Sequence, residues 1–384
     1  MQAKNDTPRT GRLISIERNV LRAAGIMFLL GLGEELWKKF LPKYLEALGA
    51  SVRDVGWFGA TSDFLDAVYQ YPGGWLADRL GRGRAFVIFI LLAMAGYAVC
   101  WIGTHWLLVV LGMALVMSWQ SMASPALFAI IGDMLPKQQR ALGFTLQAIL
   151  KRVPIIIAPI AGGALIAKFG VTTGVRAGLA VTLVFAVAAL LLARTIKAAI
   201  IADERESNLR NVWRSFHSAL KRLLLSDIII RLCEGMAGVF LVLYATNVIG
   251  ISVAEYGVLV AIQVTTSILV YVPAAKFADR FGRKPFVIAT FFCFALFPLA
   301  HVWAASFGAL VWVYVIGGLR EIGEPARKAM IVDFAEAHLR GRTVGLYYLI
   351  RGLAITPSAL IGSWFWQIAP ESTLVVASVI GLLG

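Results

Sequence analysis

Histidine and cysteine are scarce in this chain, at four and three of 384 residues. The cysteines, Cys100, Cys233 and Cys293, stand singly inside apolar runs, without the paired spacing of a disulfide framework or a zinc site. The histidines, His105, His217, His301 and His338, are scattered at loops and segment ends. No nucleophile sits beside a base and there is no phosphate loop or metal spacing, so the sequence argues against an enzyme and implies no cofactor or metal. His105 and His301 read most simply as interfacial residues. Charge is sparse as well: 15% of residues are charged and the mean hydropathy is +0.78. That leaves too little polar surface to coat a water-soluble globule. The first 20 residues lack the short apolar core and cleavage site of a removable signal peptide.

What the chain has instead is hydrophobic runs, which together with shorter apolar stretches bring hydrophobic residues to 59%. The runs approach the ~20 residues that cross a bilayer as a helix. They are continuous rather than alternating, which selects helices over a barrel. In order they cover 22–48, 55–77, 85–103, 106–134, 141–169 and 174–193, then 225–249, 253–277, 286–305, 307–335, 344–368 and a start at Thr373. The expectation is six spans in residues 1–193, with a cytoplasmic N-terminal tail. A basic linker follows at 194–224, and 225–384 holds spans seven to eleven and the start of a truncated twelfth.

The net charge of +14 reflects topology rather than a nucleic-acid partner. Of 36 lysines and arginines, 23 fall in the tail, the linker and the loops on their side, and only Lys43, Arg53, Lys168 and Arg176 lie in loops opposite. By the positive-inside rule the N-terminus is cytoplasmic, as for a multi-pass protein of a bacterial inner membrane. The linker reads as a connector along the membrane surface.

Two charged turns interrupt the apolar runs: GGWLADRLGRGR at 73–84 and AAKFADRFGRKP at 274–285. They belong to a wider repeat at an offset of 200 or 201. Glu34, Phe40 and Tyr44 match Glu234, Phe240 and Tyr244, Pro72 matches Pro273, and Pro125, Asp133 and Gly162 match Pro325, Asp333 and Gly362. One offset held through five helices indicates a duplicated six-helix unit.

Gly74, Asp78, Arg79, Gly81 and Arg82 resemble the G-x-x-x-D-[RK]-x-G-[RK]-[RK] signature of the major facilitator superfamily, with Gly83 departing at its last position. The second copy keeps Asp279, Arg280, Gly282 and Arg283, with Ala275 in place of the first glycine. The resemblance implies an all-α polytopic membrane protein of two pseudo-symmetric six-helix bundles, acting as a transporter. It also implies that the turn latches the halves on the cytoplasmic face, with Asp133 answering Arg82 and Asp333 answering Arg283. Residues 158–163 resemble the tail of the GPxxGG motif of drug:proton antiporters, although small residues beside proline equally serve close helix packing.

In similar transporters spans 1, 4, 7 and 10 line the central path, and ionisable residues inside the membrane are costly enough to mark function. The first span carries Glu34, Glu35, Lys38 and Lys39, the seventh Arg231 and Glu234, and the tenth Arg320, Glu321, Glu324, Arg327 and Lys328. The second adds Asp63 and Asp66, the fifth Lys151 and Arg152, and the eleventh Arg351. Glu34 with Lys38 and Glu35 with Lys39 read as i,i+4 pairs on one helical face. We expect Glu34, Glu234 and Glu324 to couple protons, and Gln120, Arg152, Arg320, Glu321, Arg327 and Arg351 to bind the substrate. Arginine suits a carboxylate or phosphate because its donors form a planar fork.

The resulting expectation is a monomeric secondary transporter of a small polar, anionic or zwitterionic solute, working by alternating access and coupled to protons. Multidrug/proton antiport is the alternative. A non-transporting sensor or scaffold ranks lower, since it predicts a degraded latch or a large added domain.

Overall fold

Ser51 and Ser252 open two helices by the same device. Each serine hydroxyl accepts the backbone N–H three residues on, and the carboxylate there, Asp54 or Glu255, accepts the serine's own N–H. This reciprocal cap satisfies two donors that a helix start leaves orphaned. Both helices run 29 residues, carry a proline inside (Pro72, Pro273) and stop at a glycine with positive φ, Gly81 at 82° and Gly282 at 94°. Only glycine adopts this backbone without strain. Gly282→Ala is therefore expected to lower stability by about 1 kcal/mol or more, read as an earlier melting midpoint in detergent.

The computed structural model describes residues 9–123, 140–196, 209–334 and 340–384, and every regular element among them is helical. In chain order these are α1 Arg9–Glu35, α2 Leu41–Ala47, α3 Val52–Leu80, α4 Arg82–Ile102, α5 Trp106–Met117, α6 Arg140–Phe169, α7 Val171–Arg194 and α8 Leu209–Arg214. The second half continues with α9 Ser218–Gly238, α10 Val253–Phe281, α11 Arg283–Val302, α12 Phe307–Leu319, α13 Glu324–Asp333, α14 Arg340–Ile355, α15 Ser358–Ile368 and α16 Pro370–Leu382.

Among the described residues, six helices are long and apolar enough to cross a bilayer. The helix pair Ser218–Gly238 and Leu241–Val248, bent by 41°, makes a seventh. Trp106–Met122, Phe307–Leu319 and Pro370–Leu382 are shorter apolar helices. The first two expected spans are not among these helices.

Four helices break, at related places in the two halves. After α1 the chain bonds i to i−3, with Trp37 N–H donating to the Glu34 carbonyl and Phe40 N–H to that of Trp37. Pro42 dictates this, since its ring would collide with the carbonyl of Lys38 in a continuing α-helix. The regular helical face expected to align Glu34 with Lys38 and Glu35 with Lys39 is thus interrupted between the members of each pair. The other breaks are a π-helical turn at Ser118–Met122, the bend after α9, and the turn at 320–323 between α12 and α13.

The halves meet along two seams of small residues. On α6 and α10, a Cβ at Gly257 would collide with the Pro159 carbonyl oxygen, and one at Gly163 would lie 3.0 Å from Ala254 Cα. On α3 and α15, a Cβ at Gly59 would lie 2.5 Å from Ala359 Cβ. Residues 158–163 thus serve close helix packing: Gly162 presses against the Leu36 carbonyl at the break after α1. On the face opposite the N-terminus, Asn247 donates to Glu46 at 2.7 Å and Lys43 bonds both residues, tying α2 to the Leu241–Val248 segment. The linker's described part is anchored on the second half, with Val212, Phe216 and Leu220 buried in one cluster with Ile331 and Tyr347.

Candidate functional site

Between the halves lies a cavity of about 550 Å³, walled by residues of both. Its charged side chains are Lys38 and Lys39 after α1, Asp63 and Asp66 on α3, Glu234 on α9 and Arg320 after α12. The rest of the wall is largely apolar, including Met117, Phe294 and Tyr314. Three cations and three anions in one chamber of this size suit a small polar solute better than a purely greasy one.

The first half builds a hydrogen-bonded chain behind the wall. Glu34 is buried at 5% exposure and accepts from Tyr97 of α4 and from Gln120 Nε2 at 2.6 Å. The carbonyl of the same amide accepts from Lys38 Nζ at 2.7 Å. The π-helical turn places Gln120 toward Glu34 and the neighbouring Ser121 hydroxyl on Asp66, at 2.6 Å.

The second half builds an ionic lattice at the corresponding place. Arg231 contacts Glu234 at 2.6 Å and Glu324 at 2.8 Å. Arg327, 2% exposed, holds Glu324 at 2.8 Å and Asp227 at 2.5 Å. Asp227 also accepts from Arg351 at 3.3 Å and from the Tyr347 hydroxyl at 3.1 Å. Arg320 reaches Glu234 at 3.5 Å and lies over the rings of Phe294 and Phe297. Positions 34 and 120 meet in one half just as 234 and 320 meet in the other, with an amide replaced by a guanidinium.

Of the residues expected to bind substrate, Gln120 and Arg320 are on the cavity wall, as is Glu234 of the coupling set. Glu34 and Glu324 lie behind it, each buried. Arg327 and Arg351 belong to the lattice around Asp227 rather than to the wall. Arg152 and Glu321 pair with each other across the halves at 3.2 Å, and Arg152 also donates to Ser267 at 2.9 Å and stacks on Tyr271. Lys38 and Lys39, read from the sequence as i,i+4 partners of Glu34 and Glu35, are on the cavity wall.

Sequence reasoning missed Asp227 and Tyr97. Asp227 falls at the margin of the expected seventh span, yet α9 begins earlier, at Ser218, and buries it completely. Its i,i+4 spacing to Arg231 was the available signal. Nothing in the pattern of α4 marks Tyr97. His301, expected at the interface, is fully buried instead. Its ring packs edge-on against Phe297 and Tyr314 and its Nδ1 bonds the Phe297 carbonyl at 2.8 Å, which makes it a packing residue between α11 and α12.

At the expected latch, Arg283 Nη1 donates to Asp333 Oδ2. Arg79 and Arg280 are exposed at the ends of α3 and α10, and Gly81 and Gly282 make the turns. Gly74 falls within α3. Asp133 lies outside the described residues, and so do the side chains of Asp78, Arg82 and Asp279.

A sequence model of the Major Facilitator Superfamily matches residues 23–225 and again 223–384. The uncharacterized MFS-type transporter MJ1317 of Methanocaldococcus jannaschii is 20% identical over 396 residues, spanning 100% of this chain and 96% of that protein. Quinolone resistance protein NorA of Staphylococcus aureus is 27% identical over 137 residues, 36% of this chain and 35% of NorA. Among solved structures, that of a mutant of the nucleoside transporter NupG superposes with a TM-score of 0.80 at 11% identity, covering 95% of this chain and 97% of that one.

Proposed function

Because this chain belongs to the Major Facilitator Superfamily and is an integral membrane transporter, we propose that it moves a small polar solute by alternating access, driven by protons. The observation that carries this reading is the cavity itself. It is shared by the two halves and holds Lys38, Lys39 and Arg320 together with Asp63, Asp66 and Glu234. A solute bearing an acid group, alone or with an amine, can be neutralised there without leaving a buried charge unpaired. Rocking of the halves about a midplane site then exposes it to either side.

Glu34, Glu234 and Glu324 are the groups proposed to carry the proton, and Gln120, Arg152, Arg320, Glu321, Arg327 and Arg351 those proposed to bind or position the solute. The turn from Gly74 to Arg82, its repeat at 279–283, and Asp133 with Asp333 form the proposed gate on a cytoplasmic N-terminal face of a bacterial inner membrane. The similarity to NorA over part of the chain favours a second reading, drug/proton antiport. The equal numbers of cations and anions on the wall favour a solute of mixed or acidic charge over a purely cationic drug.

The test is uptake by proteoliposomes under an imposed pH gradient, screened over organic anions, amino acids, nucleosides and cationic dyes. Glu34→Gln and Glu324→Gln are expected to lose gradient-driven flux by at least ~10-fold while retaining solute exchange. Flux indifferent to the gradient in the unsubstituted protein would rule out proton coupling.

A further inference from the structure

We infer that Gln120 links a proton on Glu34 to an anion at Lys38, so that proton and anionic solute bind together rather than in competition. This rests on reading the cavity as the solute site and adds the sense of the coupling.

The amide of Gln120 is held at both ends. Its NH2 group donates to Glu34 at 2.6 Å, which aims its carbonyl at Lys38 Nζ, 2.7 Å away. Glu34 is buried and off the cavity wall, whereas Gln120 and Lys38 are on it. A solute therefore reaches the lysine without displacing the proton from its carboxylate. Both neighbouring breaks leave backbone room for adjustment: the i to i−3 segment between Glu34 and Lys38, and the π-helical turn that carries Gln120.

With Glu34 ionised, the charge-assisted bond fixes the amide, and the ammonium has both an acceptor and a nearby negative charge. One proton from solution on Glu34 removes that charge and weakens the hold on the amide. Lys38 then faces the cavity without that partner charge, and a carboxylate, sulfonate or phosphate group there replaces it. By linkage the anion favours the proton to the same degree.

The charged or titratable groups acting on Glu34 are Lys38 and Glu35 from its own segment and Tyr97 from α4. Among the described residues, the contacts of α6 and α7 with this part of α1 are neutral: Pro154 of α6 against Gly31 and Thr182 of α7 against Gly33. Lys39, Asp63, Asp66, Glu234 and Arg320 share the cavity, so any of those three acids could also impose a pH response. The variants below separate them.

The experiment is equilibrium binding of radiolabelled sulfate, whose charge is constant across the range used, to the full-length protein in lipid nanodiscs at mildly alkaline and mildly acidic pH. Sulfate is expected to bind about 5-fold tighter or more in acid. Glu34→Gln should bind tightly at both pH values, Lys38→Gln weakly at both, and Gln120→Leu should lose most of the pH response. Binding in the unsubstituted protein that is absent, flat with pH or tighter in alkali overturns the inference. So does a pH response that persists in Glu34→Gln, which would move the titration to Asp63, Asp66 or Glu234. A protein that transports under a gradient yet binds sulfate without pH dependence loses this coupling alone. One that shows the coupling but moves no solute keeps it and loses the transport reading.

Discussion

Replacing Asp227 by alanine is expected to destabilise the protein by about 3–5 kcal/mol, the usual cost of removing one partner from a buried ion pair. Asp227 is fully buried and accepts from Arg327, Arg351 and Tyr347, and Arg327 is itself 2% exposed. Without the carboxylate these guanidinium groups keep one acidic neighbour fewer in a region that water cannot repair. The expected observation is a large fall in monodisperse protein on size exclusion after mild heating. Asp227→Ala combined with Arg327→Met should recover much of the loss, because neutralising both partners removes the stranded charge. If the single substitution melts within about 1 kcal/mol of the parent, or if the pair is worse than the single, the lattice is not what holds α9, α13 and α14 together.

Gly257→Leu is expected to shift the conformational equilibrium toward a state open on the face opposite the N-terminus. Even a Cβ at Gly257 would collide with the Pro159 carbonyl oxygen, so the larger side chain forces α6 and α10 apart. Overpacking of this kind costs about 1–3 kcal/mol. The cost falls on the state in which this seam is closed, and each 1.4 kcal/mol or so changes a population ratio tenfold. Spin labels at the exposed positions Ala47 and Val248 sit on the two segments that Lys43, Glu46 and Asn247 tie together. Their distance distribution should gain a longer component. An unchanged distribution at unchanged stability would show that this seam does not report the gating motion.

The repeat was legible residue by residue. The offset that paired Pro72 with Pro273 and Asp78 with Asp279 reappears as paired capping boxes, paired positive-φ glycines and helices of equal length. Glu34 and Glu234 were visible as equivalent acids, and so were Gln120 and Arg320 as equivalent polar positions. That each acid contacts its own half's partner was not, because 86 residues of chain separate the two members in both cases. Tyr97 escaped because an aromatic in an apolar helix carries no sign of whether its hydroxyl faces lipid or a carboxylate.

The sequence by itself determined the membrane setting, the two-fold build and the short list of interior charges. Those follow from local energetics: apolar runs of bilayer length, turn glycines, and the cost of ions in lipid. Only the tertiary structure decided which charges border the cavity and which are spent on one another. Lys38 went to the wall because Pro42 breaks its helix, and Arg327 to the lattice because α9 carries Asp227 up beside it. Pairings of that kind depend on how helices rotate and where they break, and these are settled by packing between segments distant in the chain.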